Sequence, residues 1–138
     1  MNKLILAIPV ALMLAAPAVS GEKIQLTEEQ QAKLDKRLEG RTAGEPRSCI
    51  SNSDQRQMTV ISDDVLIFGS SRNAKTIYVN NPPGGCRNAD RDILSYSRPT
   101  SSLCKGEMIT LIDSASRMPM GSCSFGDQFR LGQFLSGL

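Results

Sequence analysis

The chain has 138 residues, 16 basic and 14 acidic side chains, and neither histidine nor tryptophan. That length suits one domain, and the near balance of charge argues against nucleic acid, which calls for a basic domain with a clustered patch. The missing histidine removes the Ser-His-Asp and Cys-His catalytic arrangements and any mixed Cys/His zinc site.

Residues 1–20 have the three parts of an export signal. Met1-Asn2-Lys3 carries one positive charge, residues 4–16 form an apolar run of 13, and Ala18 and Ser20 offer a small-x-small cleavage site before Gly21. The run is shorter than the ~20 apolar residues of a spanning helix and contains Pro9. The pattern predicts a mature chain of 118 residues, with 15 basic and 14 acidic side chains. No membrane span is expected in it, and its destination is the periplasm or the extracellular medium.

Thr27 as N-cap, Gln30 three residues on, and Glu28 and Glu29 near the positive end of the dipole predict a helix. It should stop at Leu38 or Glu39, with Gly40 just past its end. Its apolar positions are few, chiefly Leu34 and Leu38, so it is expected to lie on the surface and pack by one edge. Residues 41–47, with Gly44 and Pro46, read as a linker.

From Ser48 the texture changes to short β-prone runs between turn residues. The candidates are Cys49-Ile50, residues 58–62, 65–68, 76–80 and 108–112, and a closing run at 121–125. Asp63-Asp64 reads as a tight hairpin connection, and residues 80–85, with Pro82-Pro83-Gly84-Gly85, as a firm stop. The fold class expected is mainly β (α+β): a short N-terminal helix, then a small antiparallel sandwich or partly open barrel stapled by disulfides. The organisation expected is a signal peptide at 1–20, helix and linker at 21–46, and a disulfide-linked β domain at 47–138.

Cys49, Cys86, Cys104 and Cys123 are an even number in an oxidising compartment, with no C-x-x-C spacing. They are read as two structural disulfides. Chain entropy gives every pairing a similar total, roughly 7–8 kcal/mol, and so does not choose. Topology favours Cys86–Cys104, which would staple the polar segment 87–103, and Cys49–Cys123, which would tie the first strand to the last.

Motifs for chemistry are missing. There is no G-x-S-x-G and no phosphate-cradling glycine motif. Asn88-x-Asp90-x-Asp92 opens like a calcium loop but has Ile93 and Pro99 where glycine and glutamate belong. Asp63, Asp64, Asp90, Asp92, Glu107, Asp113 and Asp127 all lie near turns, where solvated acids belong. No catalytic residue, metal or cofactor is expected. The candidate binding loop is the segment carrying Arg87, Arg91, Arg98 and Lys105, because loops on a rigid scaffold carry recognition.

The contexts Cys49-Ile50, residues 60–68, Tyr78-Val79-Asn80, Gly85-Cys86, residues 103–107 with Ile109, and Gly121-Ser122-Cys123 occur in that order. Together they resemble a family of small exported bacterial four-cysteine proteins known only as a domain of unknown function. The resemblance spans roughly residues 41–129. Glu107 stands where an Asp is usual, and the segment after Cys123 is one residue longer than the expected Gly-x-Phe ending. The resemblance implies an exported, four-cysteine domain and supplies no activity. The function expected is that of a non-enzymatic envelope or secreted domain acting by binding, with another envelope protein as its partner. The alternatives are an inhibitor of an extracellular enzyme, or a histidine-free hydrolase using two carboxylates.

Overall fold

The computed structural model describes residues 24–97 and 101–133, without the side chains of Phe129, Arg130 and Gln133. The export signal and Arg98 lie outside those residues. Helix α1, Glu28–Leu38, begins at Thr27, whose hydroxyl accepts from the Gln30 backbone N–H while the Gln30 side chain accepts from the Thr27 N–H. Gly40 follows the helix at φ 68°, a left-handed position that suits glycine. The helix has no fully buried residue, and Leu34 and Leu38 pack by one edge, as its sparse apolar pattern predicts.

Ten strands follow among the described residues: β1 Arg41–Arg47, β2 Cys49–Ser51, β3 Gln57–Ser62, β4 Val65–Gly69, β5 Thr76–Asn80, β6 Ile93–Ser95, β7 Ser102–Cys104, β8 Met108–Ile112, β9 Pro119–Ser124 and β10 Gln128–Gln133. They form a five-stranded sheet in the order β1-β10-β5-β4-β3, a three-stranded sheet β6-β8-β9, and the pair β2-β7. Every pairing is antiparallel. The sheets do not close into a barrel, and the fold is the mainly β, disulfide-stapled class expected.

The five-stranded sheet buries both of its faces, which explains why β4 reads as one unbroken apolar run. Leu66, Phe68 and Tyr78 face a core shared with Ile50, Leu103, Ile109, Leu111 and Phe125 of the smaller sheets and their loops. Val65, Ile67 and Ile77 face a second core under α1, which contributes Leu34 and Leu38. The order of layers is thus helix, large sheet, small sheets. Aromatic side chains are few but concentrated: the Phe125 ring meets Phe68 and Tyr96 edge-on, at centroid distances of 5.8 and 5.2 Å. Among the described residues, no helix is long and apolar enough to cross a membrane.

Two expectations are corrected. Residues 41–47 are no linker but β1, paired along its length with β10 from Arg41↔Gln133 to Arg47↔Gln128. Glycine and proline are tolerated there because β1 is an edge strand: its register shifts between Ala43 and Pro46, and an edge residue can lack an N–H without breaking the sheet. The disulfides are Cys49–Cys104 and Cys86–Cys123, and neither bridge of the expected pairing forms. Strand register decides the first, since Cys49 lies directly opposite Cys104 in the β2-β7 pair. The segment that Cys86–Cys104 was expected to staple has anchors of its own. Asn88 O accepts from the Arg91 and Asp92 N–H groups at 3.0 and 2.9 Å, and β6 pairs with β8.

The two bridges differ in exposure. Cys86 and Cys123 are buried in the main core, whereas Cys49 is exposed and Cys104 half-buried. A reductant reaches a bridge only where the sulfurs are accessible. Mild reduction followed by alkylation should therefore label Cys49 and Cys104 first, with Cys86 and Cys123 labelled only on unfolding. Peptide mapping that recovered Cys49 joined to Cys123, or labelling of Cys86 first, would contradict this arrangement.

Candidate functional site

Lys33, Lys36 and Arg37 stand at i, i+3 and i+4 on α1, a spacing that puts them on one side of the helix. Lys36 and Arg37 in the last turn also complement the negative end of the helix dipole. Beyond Gly40 the chain turns into β1 and presents Arg41. Its Nε donates to Arg37 O at 2.7 Å, while its two terminal nitrogens donate to Lys75 O at 2.8 Å and Ala74 O at 2.9 Å. Arg37 in turn donates to Arg72 O at 2.8 Å. Two guanidinium groups thus fasten the end of α1 to the β4–β5 turn. The Arg41 charge is pushed below its ordinary pKa by burial first and by the neighbouring Arg37 second, yet a guanidinium stays charged in proteins.

This fastening leaves an open cleft of about 830 Å³ between α1 and the edge strand β3, with Arg72 and Asn73 of the turn also in its wall. Lys33, Lys36, Arg37, Arg41 and Arg72 line it on one side, with Glu39 as the single acid, and Thr59-Val60-Ile61 form the other side. Lys33 pairs with Glu29 at 2.9 Å. Among the described residues, no carboxylate lies within ion-pairing distance of Lys36, Arg37, Arg41 or Arg72. Arg37 Nε is buried with no hydrogen-bond partner among those residues. Four cations outside ion-pairing distance of any carboxylate, with Glu39 as the one acid in the wall, give the open cleft a net positive field that favours an anion.

The loop singled out from sequence is built differently. Arg87 is exposed and lines a depression with Gly85, Asn88, Asp92 and Met120. Arg91 donates to the Asn88 side-chain oxygen and sits 4.0 Å from Asp90. Lys105 pairs with Asp127 at 3.1 Å. Arg87 and Arg91 line two separate depressions, and Lys105 lines neither of them.

The acids mostly hold turns. Asp63 Oδ1 accepts from the Ala89 N–H, Glu107 from the Cys104 N–H, and Asp113 from the Ala115 and Ser116 N–H groups. The backbone bond from Ser116 holds the Asp113 carboxyl below its ordinary range. Asp63, Asp64 and Asp90 share one shallow polar depression with Gln25, Gln30 and Arg91. Among the described residues, no group of three or more acids and cysteines is placed to hold a metal ion.

Sequence reasoning missed the cationic cleft because it weighed α1 by its apolar positions alone. The spacing of Lys33, Lys36 and Arg37, with Arg41 four residues on, was the available signal. Arg72 enters from 35 residues away and had none. Replacing Arg41 by lysine keeps the charge but not the three-way fork. It should lower the unfolding free energy by about 1–2 kcal/mol in urea, as orphaned carbonyls replace bonded ones; an unchanged midpoint would contradict the clip.

No family model, no curated protein and no solved structure matches this chain.

Proposed function

We propose that the chain is an exported envelope or secreted domain that acts by binding an anionic partner in the cleft between α1 and β3, and that it is not an enzyme. The observation that supports this reading is the set of four unpaired cations in one cleft, Lys36, Arg37, Arg41 and Arg72. The mature chain carries a net charge of only +1, so the concentration reflects placement and not overall composition. The carboxylates at Asp63, Glu107 and Asp113 support the same reading, since each accepts backbone hydrogen bonds in a turn. Two disulfides suit an oxidising compartment, and the resemblance to small exported four-cysteine proteins adds the same compartment and no activity.

Two measurements check the two halves of the proposal. Mass spectrometry of the protein recovered outside the cytoplasm should place its N-terminus at Gly21, and an intact residue 1 would count against export. Fluorescence anisotropy with labelled polyglutamate should show binding that weakens as salt rises. The double variant Lys36→Gln/Arg72→Gln should weaken it by about tenfold, on the scale of two lost charge contacts. The loop variant Arg87→Gln/Arg91→Gln should leave it within about twofold. The reverse ranking would move the site to the loop.

A further inference from the structure

We infer that the occupant of the cleft is an extended acidic segment of a partner protein, which adds to β3 as a further strand of the large sheet. This rests on the cleft being the binding site, as proposed above, and goes on to name the occupant and how it is held.

The two edges of the large sheet are treated differently. β1, at one edge, carries Arg41, Glu45, Pro46 and Arg47 and a register shift between Ala43 and Pro46. Charge, proline and a bulge are the devices that stop an edge from pairing with another chain. β3, at the other edge, reads Gln57-Met58-Thr59-Val60-Ile61-Ser62, with no charge and no proline. Its one irregularity is confined to the end, between Val60 and Ser62. Among the described residues, its outer row of backbone donors and acceptors has no strand partner, and Thr59-Val60-Ile61 line the cleft. An open edge beside a row of cations matches a strand that brings both backbone groups and carboxylates.

The faces of the sheet set the pattern of that strand. On one face Thr59 and Ile61 look toward α1, where Lys36, Arg37 and Arg72 stand; on the other, Met58 and Val60 are only partly buried against the main core. Side chains of an added strand alternate between those faces. The recognised segment therefore alternates acidic and apolar residues over about six positions, the length of β3, with its acids turned toward α1. A free inorganic anion would use the cations and leave the edge unused.

The test uses the processed protein and the peptide acetyl-Glu-Val-Glu-Val-Glu-Val-amide, together with two derivatives, one N-methylated on its glutamates and one on its valines. In a strand, alternate N–H groups point to opposite sides, so only one set can reach β3. Strand addition predicts that one derivative loses at least about tenfold in affinity while the other stays within about threefold of the parent. Lys36→Gln/Arg72→Gln should weaken the parent peptide, and hydrogen exchange should show new protection at backbone amides within residues 57–62. Equal affinity of all three peptides, still abolished by salt and by the double variant, would overturn strand addition while leaving the anion cleft standing. No binding of either polyglutamate or the peptide would remove both. A concentration-dependent dimer already protected at residues 57–62, with no peptide binding, would assign the edge to a second copy of the chain and overturn the proposal.

Discussion

The Cys86–Cys123 bridge joins two sheets that share no strand pairing. Cys86 follows β5 of the large sheet and Cys123 lies in β9 of the small one, and both are buried in the core between them. Around the bridge the chain is closely tied. The Cys86 N–H donates to Asp63 O at 2.7 Å, and Ala89 N–H reaches the same residue's carboxylate, so the β3–β4 turn is fastened to the segment carrying the half-cystine. Gly85 has φ 76°, and a side chain there would meet the Asp64 carboxylate. Glycine lets the two turns approach as they do.

A second tie lies at the last residue of β5. Asn80 is fully buried, and its amide donates to Gly126 O at 2.9 Å while its oxygen accepts the Gly126 N–H at 3.1 Å. The side chain thus behaves like a short stretch of strand, holding the link between β9 and β10 against β5. Buried polar groups are tolerable when satisfied in this way. Together the bridge and the amide pair fix the large sheet on its core side, while α1 and the two arginine clips fix it on the other. The cleft at β3 lies on the α1 side, where the two clips hold Arg37 and Arg41 against the backbone of the β4–β5 turn.

The elements visible in the sequence are those whose cause is local. The capping box at Thr27 and Gln30 places the start of α1, and the apolar runs of β3, β4, β5 and β8 mark strands packed on cores. The closing run read at 121–125 is β9, which begins two residues earlier at Pro119. The strands missed, β1, β6, β7 and β10, are held by partners distant in the chain. β1 is exposed at nearly every position, and its pairing with β10 brings Arg41 against Gln133. β6 and β7 have three residues each, too short for a periodic pattern to show. The disulfide pairing was hidden for the same reason, since strand register selects Cys49–Cys104 and leaves Cys86 to pair with Cys123. In the cleft, the spacing of Lys33, Lys36 and Arg37 was legible, but Arg72 and the bare β3 edge exist only after the sheet has formed.

Loop length and burial make opposite claims about which bridge matters more. Cys49–Cys104 closes the longer loop, 55 residues against 37, and chain entropy gives each about 4 kcal/mol with the longer slightly ahead. Burial reverses the order, because removing Cys86–Cys123 also empties part of the main core. Urea denaturation of the two double variants, Cys49→Ala/Cys104→Ala and Cys86→Ala/Cys123→Ala, decides between them. The loss should be larger for Cys86→Ala/Cys123→Ala, by about 2 kcal/mol from the cavity it leaves. An equal loss, or the larger one at Cys49–Cys104, would contradict the central place of the buried bridge in holding the two sheets together.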